Sequence, residues 1–171
     1  LFRQQGCRTS LIGKWHLGMP PKYGQLQRGY EHLFGFLGGA TDYFRVGGGK
    51  GPAGLSGEAA VAAGAACELA GPAPAAGAGG ARAGGPPAAT GPSAIALFED
   101  DREVEVPGYL TDVLADRAAR EIEASARAGR PFFMSLHFNA PHWPWEGPGD
   151  AEASKSIKNI NHADGGSIRK Y

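Results

Sequence analysis

"LTDVLADRAAREIEASARAGRPFFMSLHFNAPHWPW", residues 110–145, runs through three patterns in a row. Its first part reads as a helix. Thr111 is placed to cap it, Asp112 sits in the first turn, and Gly129 lies just past the end. Leu110, Val113, Leu114, Ala118, Ile122 and Ala126 fall on one apolar face. "PFFMSLHF" (131–138) then reads as a buried strand, and "NAPHWPWEGPG" (139–149) as a rigid, proline-punctuated loop. Helix, apolar strand and polar loop in succession is the grammar of an α/β sheet. In such sheets ligands sit beyond the carboxyl ends of the strands.

Working outward, "ALFEDDREVEVPGY" (96–109) predicts a hairpin or an edge strand with a turn. Near the start, "LFRQQG" reads as a helix end stopped by Gly6, and "CRTSLIG" (7–13) as a short, mostly buried strand. "HLFGFLGG" (32–39) is a second strand bounded by glycines. Between these parts, residues 46–94 are about three-quarters Ala, Gly and Pro. That composition offers too little apolar surface to offset the entropy of ordering, so disorder is expected there. It is also the composition of G/C-only codons, which leaves an out-of-frame stretch or a recruited insert as the two readings. The expected organisation is a segment 1–45, a low-complexity segment 46–94, and a segment 95–171 that joins 1–45 in one domain.

Composition narrows the function. The 171 residues carry 17 basic and 17 acidic side chains. Such a balance argues against nucleic acid or an anionic membrane as partner, and any anion must be recognised locally. No apolar run is long enough to span a bilayer, and no signal peptide is visible. Cys7 and Cys67 could form at most one disulfide and say little about compartment.

Two loops carry candidate chemistry. In "IGKWHLG" (12–18), Lys14 and His16 share a face if the segment is extended, and Trp15 turns into the body of the protein. A lysine is a point charge for an oxyanion, and a histidine can donate a hydrogen bond or move a proton. A solvated lysine and a loop histidine are the plainer alternative. His142, between Asn139-Ala140-Pro141 and Trp143-Pro144-Trp145, suits a fixed donor, or a loop histidine satisfying buried carbonyls. The two indoles read as packing, His32 and His137 as structural, and His162 as a loop or helix-end residue.

Several stretches resemble the sulfatase family. "TSLIGKWHLG" (9–18) is similar to its second signature, and "YGQLQRGYEHLFGFLGGATDYF" (23–44) to the stretch that follows. "GYLTDVLADRAAREI" (108–122), "PFFMSLHFNAPHWPW" (131–145) and "KSIKNINHADGG" (155–166) resemble later helix, strand and loop segments of arylsulfatases. The resemblance implies an alkaline-phosphatase-like α/β fold, here a partial mixed sheet flanked by helices and interrupted by the Ala/Gly/Pro segment. It implies hydrolysis of sulfate esters by a formylglycine hydrate beside Ca2+, with a sulfated small molecule or glycan as substrate. Lys14 would bind the sulfate, His16 would hold or deprotonate the formylglycine hydrate, and His142 would contact the sulfate and help the leaving group depart. A periplasmic, secreted or lysosome-like location is implied in the same way.

The chain departs from the family in two respects. Neither Cys7 nor Cys67 stands in the nucleophile motif C-x-P/A-x-R, and no metal ligands are recognised. Asp164 lies in the wrong block to supply one. The chain is therefore expected to be an internal fragment, inactive and poorly folded by itself. Two alternatives to a sulfatase stay open: a degenerate binder of sulfated glycans, and a phosphate or phosphonate ester hydrolase of the same superfamily.

Overall fold

The computed structural model describes residues 1–44 and 96–157. The segment 46–94, with Cys67, and the residues His162 and Asp164 lie outside the described residues. So does most of the resemblance at 155–166.

Five strands form one mixed sheet: β1 (Arg8–Lys14), β2 (His32–Phe36), β3 (Leu97–Glu99), β4 (Arg102–Val104) and β5 (Phe132–His137), in the order β4-β3-β2-β1-β5. The strand β1 pairs in parallel with both β2 and β5, while β3 and β4 add an antiparallel hairpin on the β2 side. The expected α/β mixed sheet is thus present. Thr9 through Gly13 are all buried, as a central parallel strand covered on both faces requires.

Helix α1 (Leu110–Arg127) covers one face. Its Leu110, Val113, Leu114 and Ala118 pack with Ile12, Phe34, Phe36, Tyr43 and Leu97. On the other face Leu11, Trp15, Leu33, Leu37, Ala96 and Phe98 form a second cluster, with Met19, Leu26 and Tyr30 against it. Alternation along β2 sends Phe34 and Phe36 to one side and Leu33 and Leu37 to the other. A short helix α2 (Ala151–Ser154) follows the loop after β5. Among the described residues no helix is long and apolar enough to cross a membrane.

Four expectations need correction. Thr111 does not cap α1. The N-cap position belongs to Tyr109, and the Thr111 hydroxyl is buried without a hydrogen-bond partner among the described residues. The helix starts earlier because the Leu110 N–H donates to the Tyr43 carbonyl at 2.7 Å, so a tertiary contact takes over the capping task. The apolar face also ends sooner than expected: Ile122 and Ala126 are exposed, and Glu121 and Ser125 point inward instead. At about 100° per residue, a strict four-residue spacing drifts by roughly 40° each turn. By Ile122 that drift has left the core-facing side.

The third correction concerns β5. Among the described residues it pairs with β1 alone, and Phe132, Leu136 and Phe138 are exposed, so it is not the buried strand expected. The fourth is local. His16 has φ 50°, so the extended geometry that would place Lys14 and His16 on one face stops at Trp15. The opening "LFRQQG" forms only a 3-10 turn over Arg3–Gln5, closed at Gly6.

Candidate active site

Lys14 is the last residue of β1, at the carboxyl edge of the sheet. Its side chain is half-buried, and burial alone pulls the ammonium below the ordinary lysine value. Among the described residues no carboxylate forms an ion pair with it. The strand can deliver Lys14 here because Gly13 has φ 108° and lies hard against β5: a Cβ on it would come within 1.9 Å of the His137 carbonyl oxygen.

Trp15 turns inward as expected. It is buried, and its indole N–H lies 3.0 Å from the carbonyls of both Gly18 and Tyr23. That double anchor fixes the loop leaving β1. His16 stands exposed on this loop, its backbone N–H bonded to the Leu37 carbonyl at 3.2 Å. Its ring lies over Gly39, where an added Cβ would approach Cε1 to 2.6 Å. The exits of β1 and β2 are therefore in contact.

The loop after β5 brings in the third residue. The backbone N–H of His142 donates to the Asn139 carbonyl at 2.8 Å, and its own carbonyl accepts from the Tyr43 hydroxyl at 3.1 Å. Its ring Nδ1 lies 2.9 Å from the Trp143 carbonyl. A carbonyl only accepts, so Nδ1 carries the proton and Nε2 is left for other chemistry. Trp143 meets the His142 ring edge-on and packs on Trp145, yet is 42% exposed.

This loop rests on residues that pattern reading passed over. Asn139 is buried and donates from Nδ2 to the Thr41 carbonyl at 3.2 Å. Glu146 is fully buried, and its Oε2 accepts from the Tyr43 N–H at 3.0 Å. The Tyr109 hydroxyl donates to the Glu146 carbonyl at 2.7 Å. Polar side chains directly after an apolar strand were the available signal for Asn139. For Glu146, only the aromatic run "DYF" at 42–44 hinted at a partner.

Lys14 and His16 leave β1, and His142 leaves β5, at the same edge of two adjacent parallel strands. His32, by contrast, lies at the opposite edge, with Nδ1 2.8 Å from Asp100 and Nε2 3.5 Å from Glu121. His137 ends β5 beside Lys14, its Nδ1 3.0 Å from the Lys14 carbonyl oxygen.

The residues present do not fit Ca2+. Calcium takes six to eight oxygen ligands, and among the described residues no three His, Cys, Asp or Glu side chains gather as a metal site. The buried carboxylates near the β5 loop accept from backbone N–H groups and a hydroxyl instead. Asp42 Oδ1 accepts from the Phe44 N–H and the Ser154 hydroxyl, and Asp150 Oδ2 accepts from the Gly147 N–H. Nor does Cys7 fit a formylglycine precursor. It precedes β1 at the amino edge, roughly 20 Å of strand away from Lys14.

The fold is that of an α/β protein with polar loops grouped beyond its parallel strands, where such proteins place their ligands. A family model described as Sulfatase matches residues 1–171, and the chain belongs to that family. It is 44% identical to an arylsulfatase of Klebsiella aerogenes over 43 residues, 25% of this chain and 9% of the relative. It is 31% identical to an uncharacterized sulfatase of Escherichia coli, YdeN, over 62 residues, 36% of this chain and 11% of the relative. The crystal structure of Ps i-CgsB in complex with k-i-k-neocarrahexaose matches with a TM-score of 0.56 and 25% identity. That match covers 92% of this chain and 29% of Ps i-CgsB. The matched stretches thus cover about a tenth of the length of these curated relatives.

Proposed function

We propose that this chain is the sulfate-gripping segment of a longer sulfuric ester hydrolase that acts on a sulfated carbohydrate. The observation that carries the reading is Lys14: a half-buried ammonium at the carboxyl edge with no carboxylate to answer it among the described residues. A buried cation without a partner is costly unless an anion arrives to neutralise it. A sulfate ester supplies such an anion, and a point charge suits its tetrahedral oxygens.

In this reading Lys14 grips the non-bridging oxygens and stabilises charge that grows in the transition state. His142, with Nδ1 fixed on the Trp143 carbonyl, acts as the imidazolium: its second N–H, at Nε2, donates to the sulfate and passes its proton to the leaving oxygen. His16 adds a second polar group at the β1 exit. The nucleophile and the metal ligands are not among the described residues, and the chain by itself is expected to be inactive. A carbohydrate as the organic half is supported by the likeness to Ps i-CgsB, whose complex holds a neocarrahexaose.

The test is steady-state kinetics of the full-length protein on a sulfated sugar. Lys14→Ala should lower kcat/KM about a hundredfold, the usual weight of one preorganised donor to a developing oxyanion. Retention of near-parental kcat/KM would overturn the role of Lys14. Tight binding of the sulfated sugar without any turnover would favour a degenerate, glycan-binding protein instead.

A further inference from the structure

The strand β1 leaves the sheet unevenly. Toward β2 its ladder continues past Lys14: the Trp15 N–H bonds to the Phe36 carbonyl at 3.0 Å, and the His16 N–H to the Leu37 carbonyl at 3.2 Å. Toward β5 the paired residues end at Gly13 and His137. There a side chain takes over from the main chain, because the His137 imidazole reaches the Lys14 carbonyl oxygen at 3.0 Å. The acceptor is a carbonyl, so the bond fixes the tautomer with the proton on Nδ1. His137 is exposed, and its ring belongs to neither apolar cluster.

We infer that His137 is a positioning residue for Lys14. Its imidazole clamps the Lys14 main chain at the fork where the β1 and β5 exits separate, and so sets where the ammonium stands. This rests on the reading that Lys14 grips the sulfate group. The energetics separate the two duties of the bond. A solvent-edge hydrogen bond contributes little net stability. Displacing a catalytic charge by a fraction of an ångström, in contrast, costs rate steeply.

The experiment uses the full-length protein and a sulfated sugar, with His137→Ala and His137→Asn made alone and together with Lys14→Ala. His137→Ala is expected to lower kcat/KM about tenfold, to weaken inhibition by inorganic sulfate in parallel, and to leave Tm nearly unchanged. His137→Asn keeps an N–H close to the position of Nδ1 and should recover most of the loss. In the Lys14→Ala background His137→Ala should have no further effect, because it acts through Lys14. Two results overturn the inference alone: a silent His137→Ala beside a crippled Lys14→Ala, or losses that add in full in the double variant. Near-parental activity of Lys14→Ala overturns the reading beneath it. Should His137→Ala fail to fold, nitrogen NMR of the unmodified protein decides. An Nδ1-protonated His137 supports the clamp, and an Nε2-protonated one overturns it.

Discussion

At the amino ends of β1 and β2, the buried and half-buried polar side chains are tied to one another. Arg8 pairs with Glu121 at 2.8 Å, His32 Nδ1 lies 2.8 Å from Asp100, and His32 Nε2 lies 3.5 Å from Glu121. Arg117 bonds to Glu99 and stacks its guanidinium over the Phe34 ring at 4.6 Å. Glu31 binds Arg130 and the Thr9 N–H. At the carboxyl ends of the same strands Lys14 has no such counterpart among the described residues. The strands are shared, so the contrast lies in what the loops and α1 bring to each edge. The amino edge is built for cohesion. The carboxyl edge keeps a cation in reserve, at some cost to the fold.

The comparison breaks if the two edges respond alike to substitution. The largest expected effect on stability is at Glu121, which faces Arg8 and His32 at once. Glu121→Leu should destabilise the protein by about 2–3 kcal/mol, less than a fully buried pair because Arg8 is partly solvated. In the full-length protein, a lower urea midpoint with unchanged kcat per folded molecule is the expected pattern. Loss of kcat at full stability would show that the amino edge is not merely structural.

A smaller and sharper test uses pH. Burial lowers the Lys14 pKa, so its ammonium is lost at a lower pH than an ordinary lysine's. Inhibition by inorganic sulfate should therefore fade as pH rises through that lowered value. In Lys14→Arg, whose guanidinium stays charged, inhibition should persist to higher pH. Identical pH profiles for the two proteins would remove Lys14 from the anion's contacts.

The smallest effect runs the other way. In the folded state the charged form of Lys14 is disfavoured, so the unfolded chain binds the proton more tightly. Stability should then rise with pH through the window between the folded and ordinary values. By the same logic Lys14→Met, which removes the charge, should stabilise the protein by about 0.5 kcal/mol at neutral pH. A drop in Tm would mean that Lys14 has a stabilising partner.

Much of this architecture could be read from residue pattern. The apolar runs at 8–14, 32–36 and 132–137 became strands, and the hairpin at 97–104 and the helix at 110–127 followed their signals. Local chemistry decides such elements, because alternation and helical periodicity act within a few residues. Long-range partners decided the rest. Tyr43 took over the start of α1, Arg8 and His32 drew Glu121 inward, and β5, paired only with β1 among the described residues, keeps apolar side chains exposed. The loops leaving β1 and β5 were visible as candidates. The left-handed backbone at His16 and the His137 contact to Lys14 were not, since each depends on residues more than twenty positions away.

The pairing of β1 with β5 also has a consequence in time. Arg8 is matched with Phe132, so β1 waits for a partner 124 residues further along the chain. At roughly 5–20 residues per second of synthesis, that wait lasts on the order of ten seconds. The helix that covers Ile12 is likewise made late, ending at Arg127. A nascent chain therefore carries a strand rich in apolar surface, without its β5 partner, until residue 132 and those beyond it have been made. Nascent-chain protease sensitivity near Leu11 should fall only after His137 has left the ribosome, so β1, although made early, becomes secure late.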